Sequence, residues 1–184
     1  MKFRDLRADE IEVRVQSAKA NGVILLLYKD ARCDMNILDE ELGAECWQRE
    51  HYECKGNLFC RVGVKTKAGE WIWKSDCGTE SNTEPQKGEA SDSFKRACTN
   101  LGIGRELYTS PFIWVPSDKC TITEKQAPNG KKAYECRDRF EVEKVVIENK
   151  RIVAISIVNT SIRSDKKADK RCFVLTPPKK EDNP

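Results

Sequence analysis

Lys87-Gly88-Glu89-Ala90-Ser91-Asp92-Ser93-Phe94-Lys95-Arg96-Ala97-Cys98-Thr99-Asn100-Leu101-Gly102 is the stretch that decides how the rest of the chain is read. As a helix it sets Ala90, Phe94, Ala97, Cys98 and Leu101 on one face, the i, i+4, i+7, i+8, i+11 spacing of a buried stripe. Lys95 and Arg96 then point away from that stripe. A helix held by one side, with adjacent cations on the other, suits a rigid element that contacts phosphate. Upstream, Thr83-Glu84-Pro85-Gln86 offers a T-x-x-Q capping box with an early proline, and Gly102 and Gly104 supply the stop. Gly88 weakens the first turns by roughly 1 kcal/mol relative to alanine.

Working outward, Cys46–Cys54, Leu58–Lys67 and Glu70–Ser81 read as three strands, separated by Lys55-Gly56-Asn57 and Ala68-Gly69. Separators this short and glycine-containing favour an antiparallel meander. Alternation puts Leu58, Cys60, Val62 and Val64 on one face of the second strand and Phe59, Arg61, Gly63 and Lys65 on the other. In the third strand Trp71 and Trp73 oppose Ile72 and Lys74. Before the meander, residues 30–42 form a helix with the stripe Ala31, Met35, Leu38 and Leu42, Asp30 near its start and Gly43 at its end. Val23 to Tyr28 is a short apolar run, a buried strand or a helix end. Residues 8–20 fit a helix through Ile11, Val15 and Ala18, although Ile11, Val13 and Val15 also alternate.

Beyond the long helix, Pro111–Pro116 is a short extended apolar piece and residues 117–132 read as a loop. Tyr134–Glu148 and Arg151–Ile162 form a hairpin about Asn149-Lys150. These assignments give an α+β chain: a β-β-β-α core, in which a curved antiparallel meander packs on a long helix, plus a C-terminal β-hairpin. One domain spans 1–163, and 164–184 form a flexible charged tail.

The 184 residues suffice for one sizeable core, and a net charge of +3 with 34% charged residues excludes a histone-like polycation. Any nucleic-acid site must therefore come from local clustering of Lys and Arg. The nine cysteines show no C-x-x-C pair and the one histidine is His51, so the usual zinc patterns are missing. Their odd number and scattered positions fit small buried hydrophobes in a reducing cytosol. Met1-Lys2-Phe3-Arg4-Asp5 begins no run of signal-peptide length, and no segment reads as a membrane span.

Catalytic patterns are sparse. Glu53-Cys54-Lys55 matches the E-x-K half of a metal-dependent nuclease site, with Asp39 as an upstream carboxylate, but three residues recur by chance and Glu53 also suits a solvated strand end. Gly102-Ile103-Gly104 lacks the Lys-Ser/Thr ending of a phosphate loop and follows a helix rather than a strand. No cofactor is implied. Cations recur instead along the meander and helix, among them Arg49, Arg61, Lys65, Lys67, Lys74, Lys95, Arg96 and Arg105, interleaved with Trp47, Tyr52, Phe59, Trp71 and Trp73. Cations with stacking rings are what single-stranded nucleic acid requires. The same pattern also arises when tryptophans fill a core between sheet and helix while lysines solvate strands, and alternation alone leaves both open.

Linked words then point to a family. Leu27-Tyr28-Lys29-Asp30-Ala31-Arg32 leads into the helix ending Glu40-Glu41-Leu42-Gly43, and Trp47 opens a strand. Lys67-Ala68-Gly69 makes the meander turn, and Asp76-Cys77-Gly78-Thr79-Glu80-Ser81 precedes Asp92-Ser93-Phe94-Lys95-Arg96-Ala97. Gly102–Tyr108 reads Gly-Ile-Gly-Arg-Glu-Leu-Tyr, followed by Pro111-Phe112-Ile113-Trp114. Over about Leu25 to Trp114 the chain resembles the single-strand annealing proteins related to the eukaryotic recombination mediator Rad-fifty-two, most closely their phage and prophage members.

The resemblance implies a non-enzymatic, ATP-independent protein that binds single-stranded DNA and anneals complementary strands in homologous recombination and double-strand break repair. It further implies homo-oligomeric rings or helical filaments, a cytoplasmic location in a bacterial host, and a host single-strand-binding protein or phage exonuclease as partner. Carried over by position, Lys95 and Arg96 would contact phosphates in a groove between sheet and helix, Arg32 would contribute from the preceding helix, and Lys67 would mark an outer contact. Lys74 and Arg61 join them as basic strand residues. Thr99 and Glu84 depart from the family by standing where further cations are common. The alternatives are a protein that protects single-stranded ends without strong annealing, a metal-dependent nuclease using Glu53, Lys55 and Asp39, and a structural module.

Overall fold

The computed structural model describes residues 2–80, 84–126, 130–164 and 166–177. In chain order its elements are β1 (Glu12–Lys19), β2 (Gly22–Tyr28), α1 (Ala31–Leu42), β3 (Trp47–Cys54), β4 (Asn57–Lys65), β5 (Trp71–Cys77), α2 (Pro85–Leu101), β6 (Ile113–Pro116), β7 (Thr123–Gln126), β8 (Lys132–Glu135), β9 (Phe140–Glu148), β10 (Arg151–Asn159), α3 (Lys167–Lys170) and β11 (Arg171–Leu175). The fold is α+β, and every strand pairing among the described residues is antiparallel. The single domain expected over 1–163 is divided between two compact units, residues 1–6 with 29–105 and residues 7–28 with 106–184.

In the first unit, β3, β4 and β5 form a three-stranded sheet in that order. The register joins His51 to Cys60 to Asp76 and Arg49 to Val62 to Lys74, so these side chains share one face. Cys60, Val62 and Val64 on that face are buried, and α2 packs along β4 and β5 there. Helix α2 answers with Phe94, Ala97 and Cys98, each wholly buried, while Ala90 and Leu101 sit at the margins of the stripe. Burying a phenylalanine completely is worth roughly 1.5–3 kcal/mol, so Phe94, with the Trp47 ring 6.1 Å away, anchors this contact. Thr83 of the expected capping box lies outside the described residues; Glu84 stands at the N-cap without a side-chain cap bond, and Pro85 opens the helix.

Helix α1 begins and ends where its caps predict: the Asp30 carboxylate accepts the Arg32 backbone N–H at 2.8 Å, and Gly43 follows Leu42. Its buried face is rotated from expectation, with Cys33, Asp34, Ile37 and Leu38 inside and Ala31, Met35 and Leu42 only partly covered. The reason is a charged residue. Asp34 is taken into the interior by Lys29, which an apolar stripe cannot foresee.

In the second unit, six strands form a sheet in the order β11-β10-β9-β1-β2-β6, and the outer strands β11 and β6 approach one another, so the sheet curls nearly closed. Its core takes alternate residues of each strand, including Val23, Leu25 and Leu27, Ile113 and Val115, Phe140 and Val142, and Ile155 and Ile157. Three expectations are corrected here. Residues 12–19 form β1, not a helix: the Ile11, Val13, Val15 alternation prevails because β2 supplies a pairing partner. Residues 171–175 form β11 rather than part of a mobile tail, since Cys172 can be buried beside β10. Within the expected 117–132 loop, β7 pairs with β8, which takes the Tyr134 end away from the C-terminal hairpin. That hairpin is β9–β10, turning at Asn149 and Lys150, both with positive φ. Residues 178–184 lie outside the described residues.

Candidate nucleic-acid interface

The two faces of the β3-β4-β5 sheet carry different chemistry. On the helix-bearing face Arg96 is tied to an acid and Arg49 to a ring. Arg96 donates to Asp76 at 3.2 Å, and Asn100 donates to the Ser75 carbonyl at 3.1 Å and to Asp76 at 3.3 Å. Arg49 lies 4.7 Å from the Phe94 ring centroid. Lys74 shares this face, opposite Val62, and is exposed. Arg32 holds the Asp30 carboxylate at 2.6 Å, and that bond is the main reason the Asp30 acid is held below the usual aspartate range; the Lys95 charge adds to the effect. Arg32 and Lys95 are thus brought to one carboxylate. Arg105, counted among the recurring cations, folds back onto the helix end: it donates to the Thr99 and Asn100 carbonyls at 2.9 and 3.0 Å and finishes α2.

Beneath these groups sits a pair that the sequence reading missed. Lys29 Nζ reaches both Asp34 carboxylate oxygens at 2.5 Å; Lys29 is 5% exposed and Asp34 is fully buried. Burial pushes the Asp34 acid up to about 6, against the opposing pull of Lys29 and Lys95. Burial likewise raises the nearby Cys98 thiol far above its ordinary value. The only available signal was a Lys and an Asp five residues apart at the start of a helix, a spacing far too common to single out.

The opposite face is open. Register aligns Tyr52 with Phe59, Glu50 with Arg61, Gly63 with Trp73 and Lys65 with Trp71. The Tyr52 and Phe59 rings stack at 5.6 Å, and Trp71 and Trp73 at 6.0 Å. Trp71 and Trp73 remain 37% and 38% exposed, so they do not fill the core between sheet and helix. The Arg61 guanidinium lies 4.8 Å from the Trp73 centroid and holds Glu50 at 2.6 Å. Trp73 reclines on Gly63, where a Cβ would come within 2.8 Å of the ring.

Six of the cations were assigned to DNA contact from the sequence, and the structure divides them. Arg32, Lys74, Lys95 and Arg96 belong to the helix-bearing side. Arg61 belongs to the open face, and Lys67 sits in the β4–β5 turn closed by the Gly69 N–H to Thr66 carbonyl bond. The nuclease candidates stay dispersed in role: the Trp47 indole donates to Asp39 at 2.6 Å, while Glu53 and Lys55 are exposed. Among the described residues no three His, Cys, Asp or Glu side chains form a metal-holding group, and no helix is long and apolar enough to cross a membrane. His51 Nε2 lies 3.1 Å from the Ala90 carbonyl, a strand-to-helix tie. All nine cysteines are free thiols. Compared with protein-family models, curated proteins and solved structures, the chain matches none.

Proposed function

We propose that the protein binds single-stranded DNA and anneals complementary strands without ATP, with the β3-β4-β5-α2 unit as the counterpart of the annealing family's β-β-β-α core. The observation that carries the reading is the grouping of cations on the helix-bearing side: Arg32 of α1 and Lys95 of α2 act on the one Asp30 carboxylate, Arg96 follows Lys95 and holds Asp76, and Lys74 shares the Asp76 face of β5. A strand held there by its phosphates would keep its bases available to a complement, and positioning without base-edge contacts makes annealing tolerant of sequence. The carboxylates Asp30 and Asp76 hold Arg32 and Arg96 in place before DNA arrives, which keeps the cations ordered and weakens each one's net attraction.

Edge strands support the expected assembly. Among the described residues β3 and β5 each pair on one side only, and an open edge is satisfied economically by the next copy in a ring or filament. Mass photometry with and without oligonucleotide reads assembly and binding together.

The deciding test is Lys95→Ala with Arg96→Ala in oligonucleotide binding and in a fluorescence annealing assay. Losing two phosphate contacts on a single strand should reduce the magnitude of the log K against log salt slope by about 1.4 units and slow annealing. A variant that binds and anneals like the parent would remove the helix-side groove from the mechanism. Binding without annealing would favour an end-protecting role, and magnesium-dependent loss of labelled DNA by the parent would make it a nuclease.

A further inference from the structure

The open face of the β3-β4-β5 sheet, turned away from α2, has no role in the phosphate-binding scheme, and the fold does not need its rings. Phe94 and Trp47 already serve the interior on the helix side. Yet the open face holds two stacked ring pairs, Tyr52 with Phe59 and Trp71 with Trp73, at opposite ends of the same strands. We propose that this face is a second single-stranded nucleic-acid site, on which unpaired bases stack against Trp71, Trp73 and Tyr52. The ligand class rests on the single-strand reading given above; the location does not depend on the helix-side cations.

Three features argue for bases rather than for a protein partner. First, the apolar surface offered is flat and aromatic rather than aliphatic: Ile72, the exposed aliphatic of β5, lies on the other face. Gly63 contributes by absence, because its missing side chain lets the Trp73 ring lie along the sheet. Second, the charge suits a polyanion. Glu50 is the face's one carboxylate and is already matched by Arg61, while Lys65 remains beside Trp71. Third, the ring pairs are spaced as separate stations. Phe59 and Gly63 are four residues apart on β4, so the Tyr52–Phe59 pair and the Trp73 ring lie about 13 Å apart along the strand, far enough to take different bases.

Such a face complements the helix-side groove. One surface would hold a strand by phosphates with bases free, and the other would hold a strand by its bases, sequence-tolerantly, since every base has a π-face. A protein that brings two strands together has use for both.

The test uses the full chain, tryptophan emission, and two probes: short oligodeoxythymidylate and an abasic oligomer of equal length, which keeps phosphates and lacks bases. The expected result is quenching by the first and little by the second. Trp71→Ala with Trp73→Ala should bind oligodeoxythymidylate roughly tenfold to a hundredfold more weakly with an unchanged salt slope, the opposite signature to Lys95→Ala with Arg96→Ala. Trp71→Leu, which retains an apolar side chain, provides a milder variant should the double change disturb folding. Equal quenching by both probes, or unaltered binding by the tryptophan variants, overturns the site. Loss of self-association with binding intact also overturns it and assigns the face to a second copy of the chain. If the parent binds neither probe, this site and the single-strand reading both fall.

Discussion

Two close carboxylate–cation pairs, one taken from each unit, have opposite effects on their acids. In the first unit Asp34 and Lys29 meet inside the protein, and the Asp34 acid rises to about 6 because burial outweighs the neighbouring ammonium. In the second, Glu143 of β9 accepts two bonds from Arg171 of β11 at 2.8 and 2.9 Å and one from Ser156 of β10 at 3.1 Å, and its acid falls to about 2. The chemistry of contact is nearly the same. What differs is access to water: Arg171 stays in solvent, so its partner gains hydrogen bonds without losing much hydration. A buried pair commits the fold to keeping both charges, whereas an exposed pair ties three strands together at little risk.

The largest expected effect tests the buried pair. Lys29→Met leaves the Asp34 carboxylate in the interior without its counter-charge, and should cost about 3–5 kcal/mol in a urea titration of unfolding near neutral pH. A loss under about 1 kcal/mol would mean that the Asp34 carboxylate reaches solvent easily, and the contrast between the units would collapse. The matching change, Glu143→Gln, keeps an acceptor beside Arg171 but loses the charge, and should cost about 1 kcal/mol in the same titration because the pair is open to water.

Acidity sharpens the comparison further. Asp34 has a folded value near 6 against 3.8 unfolded, so its protonated form stabilises the fold fully below about 3.8, and that contribution is lost as pH rises through about 6. Glu143 works in reverse: its contribution is present above about 4.5 and is lost as pH falls through about 2. Thermal melts across pH 2–7 should show the first slope disappear in Asp34→Asn and the second in Glu143→Gln. A parent profile flat between pH 4 and 6 would contradict the buried carboxyl.

Local signals account for most of what could be read from sequence. Asp30 and Gly43 frame α1 because capping depends on neighbours in the chain, and glycine-containing separators mark the three strands for the same reason. Even the two-faced character of β4 and β5 was legible by alternation. What alternation could not supply was register. Gly63 opposite Trp73 places the tryptophans together with Arg61, and that pairing takes Arg61 away from the helix-side cations. The errors share a cause. β1 and β11 are strands because distant segments pair with them, and the rotated face of α1 follows from a charge whose partner must be known in advance. Proximity across the fold, not local preference, decided each case.

One such proximity reaches into the Gly102-Ile103-Gly104-Arg105 turn. Gly104 has φ +70, and the place its Cβ would occupy is filled by the stem of Lys29, with Cε only 2.3 Å away. Backbone conformation and available space therefore forbid a side chain here independently, so relieving either restraint alone gains nothing. Position 104 and position 29 are bound to each other as a lid is to what it covers. Among descendants of this sequence, a small residue at 29 would clear the space at 104 and remove the need for an acid at 34, while the positive φ would still hold 104 as glycine. Positions 29 and 34 would then drift together, and the glycine left behind at 104 would mark the buried pair in sequences that no longer contain it.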